Sequence, residues 1–371
     1  NAANDSLISD NINSVAMNKD GNLYIATDDG LSIGWDAANS LFFENINTDF
    51  AEGLASNHIN QLLIEDTNSG PILYLATDNG LSVSSDGGWG YSSSLLGKSV
   101  SSIAVHNDVW YVGVVGTGAG LYISIDQGAT YTHHSVEPAI SVWNVEVTDF
   151  AIYVGTTEGL AVSTDGGEKF IFYTEQNSAL EHDTINGIKA LGNSRVQLLA
   201  TENGLAVSEN SGLSHSIFDS SLDGIESDEI NSVEYLGGEN LLITNGSGVS
   251  ISGDFGESWR YHELGNWLNS SDYNSTTGLI VIGSNDSGAY ISKDSGQTFT
   301  YKSTANGLLS NVVSSVAIAD DGTIYLSHET ADGADQAGVS YSTDQGSSFT
   351  ALPLFENDNI LDSSEGTSAL E

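Results

Sequence analysis

An eight-residue phrase returns along this chain: a Ser, a spacer, an Asp, a spacer, a Gly, two further residues and an aromatic. Ser292-Lys293-Asp294-Ser295-Gly296-Gln297-Thr298-Phe299 and Ser252-Gly253-Asp254-Phe255-Gly256-Glu257-Ser258-Trp259 are the clearest copies. Four more keep every mark: Ser84/Asp86/Gly88/Tyr91, Ser124/Asp126/Gly128/Tyr131, Ser163/Asp165/Gly167/Phe170 and Ser342/Asp344/Gly346/Phe349. Two are worn, since Ser208/Asn210/Gly212/His215 keeps the Ser and the Gly while Gly34/Asp36/Ala38/Leu41 keeps only the Asp. Successive copies lie 39 to 50 residues apart. A period of that size belongs to solenoids and propellers.

The phrase has the chemistry of a turn between two strands. A short Asp side chain accepts hydrogen bonds from backbone N–H groups of its own turn, Gly allows a positive φ, and the aromatic folds back as a plug. Asp86, Asp126, Asp165, Asp254, Asp294 and Asp344 are therefore read as architectural, not catalytic.

Upstream of the phrase, segments such as Leu23–Asp36 and Leu73–Asp86 alternate apolar and polar residues on both sides of a Gly-containing tight turn, which predicts a β-hairpin. Another strand precedes the hairpin, often opening Ile-Asn as at Ile12, Ile59, Ile185 and Ile230, and a fourth follows the phrase. Each unit thus reads as four antiparallel strands, A to D, with the phrase at the C-to-D turn. Four-stranded units of this length are propeller blades. The sequence predicts an all-β chain forming a single β-propeller over residues 1–354, with 355–371 as a loose tail. Eight blades begin near positions 12, 59, 100, 142, 185, 230, 268 and 313; seven is the alternative, because the first strand of the seventh unit, LNSSDYNST, is weakly apolar.

In these residues the phrase resembles the Asp-box (BNR repeat) of Asp-box β-propellers, and the hairpins at Thr27, Thr77 and Thr201 look like the propeller repeats of two-component regulators. The resemblance covers almost the whole chain. It implies the fold strongly and the activity weakly, because such propellers include sialidases, xyloglucan hydrolases, sorting receptors, assembly factors and surface proteins. Sialidases of this kind grip a carboxylate with three arginines, whereas this chain has only Arg195 and Arg260, for which surface ion pairing is the ordinary role. Xyloglucan hydrolases of this kind work between two tandem propellers, and here one ring consumes every repeat.

Fifty acidic against eight basic residues give a formal charge of -42. That surface repels phosphate backbones, so nucleic acid is not expected as a partner. It suits a marine, halophilic or exported protein, and the start at Asn1 without Met suits a mature or excised fragment. No run is long enough to insert in a membrane. With no cysteine there are no disulfides and no thiolate chemistry. The expected setting is extracellular, periplasmic or at the cell surface, and the expected state is a monomer.

Strand alternation puts the D-to-A connections and B-to-C hairpins on one face, opposite the phrases. Ligand-binding candidates there are Phe50 and His58 in the first connection, Trp143 at the start of the fourth unit, and Trp267 and Tyr273 on the approach to the seventh. Aromatics among carboxylates and amides suit a sugar, by ring stacking and hydroxyl hydrogen bonds, although plugging gaps between blades is the more ordinary use of Trp143 and Trp267. An acid/base site would draw on Glu52, Glu137 and His134, and no spacing singles out a catalytic pair. His58, His134 and His182 have no zinc-type spacing. No cofactor is required; calcium is the one ion considered, at Glu329, Asp332 and Asp335 in an enlarged B-to-C hairpin, whose default reading is a solvated acidic loop. Asn13, Asn60, Asn186 and Asn231 recur at the second position of strand A and are expected to tie each blade to the next. The leading expectation is a binding propeller for a glycan or protein; the alternatives are a glycoside hydrolase or polysaccharide lyase, and a sensor or structural ectodomain.

Overall fold

The computed structural model describes residues 7–9, 11–35, 42–136, 141–178, 180, 182–191, 195–221, 224–265, 268–319, 321–328 and 338–353. They form eight four-stranded antiparallel sheets, each built from four consecutive strands, spanning 12–46, 59–94, 99–134, 144–173, 185–218, 230–263, 268–302 and 313–353. This is an eight-bladed β-propeller. The doubtful seventh unit is a full blade. Its strand A (Leu268–Asn274) is weakly apolar because Ser270 and Asp272 point sideways along the channel wall and accept the backbone N–H groups of Val316 (2.9 Å) and Ile318 (2.7 Å) in blade 8.

The apolar faces of the blades are buried against one another. Tyr24, Ala26, Leu31 and Ile33 of blade 1 meet Ile59, Leu62, Leu73 and Leu75 of blade 2, and the pattern repeats around the ring. Closure between blades 8 and 1 uses Tyr325 and Val339 against Leu23, Ile25 and Phe43. The aromatic of each phrase enters the seam with the preceding blade, as Tyr91, Tyr131, Phe170, Trp259, Phe299 and Phe349 do.

The phrase folds as a closed hydrogen-bonded turn. In the last copy the Ser342 hydroxyl donates to Asp344 Oδ1 (2.7 Å), Gly346 N–H donates to Ser342 Oγ (2.8 Å), and the Ser348 N–H (2.8 Å) and hydroxyl (2.7 Å) donate to the two Asp344 oxygens. The worn copy keeps the turn with an amide, Asn210 Oδ1 accepting from Ser208 (3.0 Å) and from Ser214 N–H (2.9 Å). Two consecutive residues, not the Gly alone, take positive φ: Gln345 at 56° and Gly346 at 74°, Ser295 at 55° and Gly296 at 82°. Gly is required for a second reason. A Cβ on Gly346 would lie 2.2 Å from Ile291 Cδ1, and one on Gly296 2.1 Å from Ile251 Cδ1, so the turn lies directly on strand C of the preceding blade.

A second recurrent segment emerges from the D-to-A connections. Gly53-Leu54, Gly224-Ile225 and Gly307-Leu308 drop their aliphatic side chain into the seam, and Leu7 and Leu180 do the same without the Gly. A strand-C serine fixes the connection: Ala55, Ile8 and Leu309 N–H donate to Ser82, Ser32 and Ser340, each at 2.9 Å. Much of the long connection between blades 1 and 2 is therefore a wedge.

Two alanine substitutions separate backbone strain from packing. At Gly21 (φ 84°) nothing lies within 4 Å of the added methyl, so Gly21→Ala should cost about 1 kcal/mol for the left-handed backbone alone. Gly346→Ala adds a clash with Ile291, and urea unfolding should show about 3 kcal/mol or more. Equal losses would contradict the close approach.

Candidate functional site

The first residues of strand A surround one mouth of the central channel, and their side chains link neighbouring blades. The amides of Asn13, Asn60, Asn186 and Asn231 donate to the carbonyls of Ile59 (3.0 Å), Val100 (2.8 Å), Ile230 (3.1 Å) and Leu268 (2.8 Å), and the Ser101 hydroxyl donates to Val142. In each case the acceptor lies at the start of strand A of the next blade or, for Val142, just ahead of it. This is the tie between blades expected from the Ile-Asn repeats.

Blade 4 breaks the pattern. Its residue at this position is Trp143, whose backbone N–H is held by Gly155 O (3.0 Å) while the indole stands 54% exposed. Phe50, 78% exposed in the turn that opens the blade 1–2 connection, and Leu96, 64% exposed in the blade 2–3 connection, are on the same face of successive blades. Among the described residues the other large exposed apolar side chains are on the phrase turns (Trp89, Ile125, Leu213) and on outer strands (Ile171, Tyr301).

Polar groups accompany the apolar ones. Asp28, in the B-to-C hairpin of blade 1, accepts from the amides of Asn11 and Asn13 (2.8 Å each) and pairs with His58 Nδ1 at 3.1 Å. Burial works to raise this carboxyl, but the amide bonds and His58 outweigh it and hold it below the usual range. Asp78 accepts from Asn60 (3.1 Å) and Ser99 (3.2 Å) in the next blade, and His182 pairs with Glu202 at 3.4 Å.

The remaining candidates are not brought to this mouth. Glu52 is carried along the outer strand of blade 2, where its carbonyl accepts Tyr91 N–H (3.0 Å). His134 closes strand D of blade 3 and meets Phe170 of blade 4 edge-on at 6.4 Å. Tyr273 is the sixth residue of its strand and packs into the blade 6–7 seam. The three histidines do not converge. Glu137, Trp267, Glu329, Asp332 and Asp335 lie outside the described residues. Among the described residues no three His, Asp or Glu side chains are grouped to hold a metal, and no helix is long and apolar enough to cross a membrane. Among the described residues neither arginine forms an ion pair with a carboxylate: Arg195 covers the Phe150 ring at 4.6 Å, and Arg260 donates to Gly296 O at 3.0 Å.

A level of the channel that sequence reasoning missed is set by one aligned position of strand A, four residues past the position of Ile12. Around the ring it reads Ala16, Leu63, Ala104, Glu146, Lys189, Glu234, Asp272, Ala317, so aligning the units would have found it. Lys189 pairs with Glu234 at 3.4 Å, and Glu146 accepts the backbone N–H of Ala190. Burial raises the Glu146, Glu234 and Asp272 carboxyls, and Glu234 raises Lys189. Beside this level a cavity of about 720 Å³, lined in part by Asn18, Lys19, Asp66, Asp272 and Asp321, occupies the A-to-B end of the channel. None of the sequence candidates lines it.

No protein-family model matches the chain, and no curated protein matches it. Solved structures do. The computationally designed protein Ika8 is 12% identical over 95% of this chain and 98% of its own, with a TM-score of 0.65. The GH74 enzyme of Niastella koreensis is 17% identical over 92% of this chain and 65% of its own, at 0.52, and Ycf48 bound to D1 peptide is 12% identical over 69% and 86%, at 0.50. At these identities the likeness is one of fold.

His328 is wholly buried, with Nδ1 3.1 Å from Val312 O and Nε2 2.8 Å from Ser340 Oγ, and burial depresses it to about 4. A histidine whose folded pKa lies below its unfolded 6.5 contributes stability above that value and loses it as pH falls towards 4. Asn245 holds the aligned position in blade 6. His328→Asn should therefore gain on the wild type in thermal midpoint as pH drops from 7 to about 4.5. A difference constant with pH would contradict a buried neutral imidazole.

Proposed function

We propose that this protein is an exported or cell-surface propeller of the Asp-box type that binds a glycan, or a protein displaying one, through the face of its D-to-A connections and B-to-C hairpins. One observation carries the reading: Trp143 stands exposed at the channel mouth, where five other blades use an amide or hydroxyl to tie the ring. Folding accounts for the Asn and Ser at this position and does not account for a solvent-facing indole. An indole presents an apolar face to the C–H side of a sugar ring. Asp28, Asp78, Asn11 and His58 on the same face supply the acceptors and donors that orient hydroxyls. The charge of -42 weighs against anionic ligands. The Ycf48 ring bound to D1 peptide is a fold neighbour that binds a partner.

Glycan-array binding followed by calorimetry tests the site. Trp143→Ala should leave the melting temperature within a few degrees of the wild type and weaken binding at least tenfold, a loss on the order of 1.4 kcal/mol or more. Unchanged affinity would move the site elsewhere. The same glycans incubated with the protein also test for catalysis, since release of reducing or unsaturated ends would make this face the mouth of a glycoside hydrolase or lyase.

A further inference from the structure

Three large apolar side chains stand in solvent on the face of the D-to-A connections, and each is carried by backbone that hydrogen bonds hold in place. Phe50 sits in a turn whose Asn47 carbonyl accepts the N–H groups of Phe50 (3.1 Å) and Ala51 (2.8 Å), while Asn57 Oδ1, from the far end of the connection, accepts Thr48 N–H (2.8 Å). Leu54 is the wedge of this connection, so the seam is filled without Phe50. Trp143 is fixed by Gly155 and by the Ser101 hydroxyl on the carbonyl of Val142, the residue before it.

Leu96 owes its position to its neighbour. Leu95 takes a left-handed backbone, φ 53°, which a leucine adopts reluctantly. Among the described residues the other non-glycine residues with positive φ are the one before the phrase Gly in five blades, and Asn107 and Asp108 in the A-to-B turn of blade 3. The bend at Leu95 turns that side chain into the blade 2–3 seam and sends Leu96 outward. Local strain of this kind belongs to sites that use the geometry it creates.

The connections bearing Phe50 and Leu96 are stapled into one body. Asn79, in the B-to-C hairpin between them, donates its amide to Ala55 O (3.0 Å) in the first and accepts Gly97 N–H on Oδ1 (3.1 Å) in the second. Leu96 lies over the next residue of that hairpin, since a Cβ on Gly80 would stand 3.4 Å from Leu96 Cδ2. Asp78 continues the staple to Asn60 and Ser99, and Ser101 carries it to Val142. Apolar platforms on successive blades are thus joined by polar groups on a rigid support. Asp28 and Asp78 already accept protein donors, so they offer spare lone pairs to hydroxyls and do not await a cation. The charge of -42 disfavours an anion. A chain of neutral sugar rings alternates in the same way, with apolar C–H faces and polar hydroxyl edges.

We propose that Phe50, Leu96 and Trp143 are platforms of one binding track, along which an extended, uncharged polysaccharide runs from the rim of blade 1 over blades 2 and 3 to the channel mouth. This rests on the reading of Trp143 as a sugar platform, and adds that the ligand is the interior of a chain and not a terminal sugar.

Calorimetry with the disaccharides and hexasaccharides of cellulose, xylan, mannan and laminarin tests the track. In at least one series the hexasaccharide should bind at least tenfold more tightly than the disaccharide, because platforms engaged by one chain act together. Phe50→Ala and Leu96→Ala remove exposed side chains, so both should melt with the wild type and each should weaken hexasaccharide binding at least fivefold. Ile125→Ala, which removes an exposed aliphatic side chain from the phrase face, should bind as the wild type does. The track is overturned if the Phe50 and Leu96 variants keep the wild-type affinity. It is also overturned, with the mouth site left standing, if every hexasaccharide binds no better than its disaccharide while Trp143→Ala abolishes both. No binding in any series would overturn the track and the reading it rests on together.

Discussion

A four-stranded sheet has two apolar faces and can bury neither by itself. In this protein the remedy is the next blade, and the quality of the remedy is set by how closely the phrase turn can approach strand C of its neighbour. Gly88, Gly167, Gly296 and Gly346 place the turn where a Cβ would strike Ile33, Ile123, Ile251 and Ile291. The aromatic then enters the space beside that contact. The aspartate, held ionised by the hydroxyl and amide bonds of its own turn, fixes the two left-handed residues that make the approach possible; in Asp294 these bonds pull the carboxyl down to about 2. Blade 7 takes part in this contact twice, through its own Gly296 and through the Ile291 that receives Gly346.

The inner edge poses the complementary difficulty. Each strand A is the free edge of its sheet, and its backbone groups face a narrow channel. Side chains of the adjoining strand complete them: Gln61 accepts Ile103 N–H at 2.7 Å, Ser102 accepts Val145 N–H at 3.1 Å, and Asp272 accepts Ile318 N–H at 2.7 Å. The ionisable level formed by Glu146, Lys189, Glu234 and Asp272 belongs to this system. Its residues are polar because an edge strand needs partners, which is also why the seventh unit looked like a poor strand.

What could be read from the sequence was what the repeats share. Phrase spacing and hairpin alternation were sufficient for eight blades of four strands, and the recurring Ile-Asn was sufficient for the ties between them. The wedge of the D-to-A connections was present as a Leu or Ile five residues ahead of each Ile-Asn, and Phe50 and Glu52 belong to the connection that carries one such wedge. Tyr273 and His134 show the limit of loop-based reasoning: both stood near connections in sequence, and strand register carried them into seams. Whether Trp143 fills a gap or faces solvent is decided by the surrounding blades, and no local pattern encodes it.

The fold is held by what the blades have in common, and function is assigned to where they depart from it. Trp143 is the sharpest departure, since the residue that the ring would use there is known from its neighbours. The most direct test is the thermal midpoint of Trp143→Asn. If the indole is kept for a ligand at some cost to the ring, the substitution installs the missing tie to the Ile185 carbonyl and the midpoint rises. A fall would mean that Trp143 serves the fold, and would contradict the account.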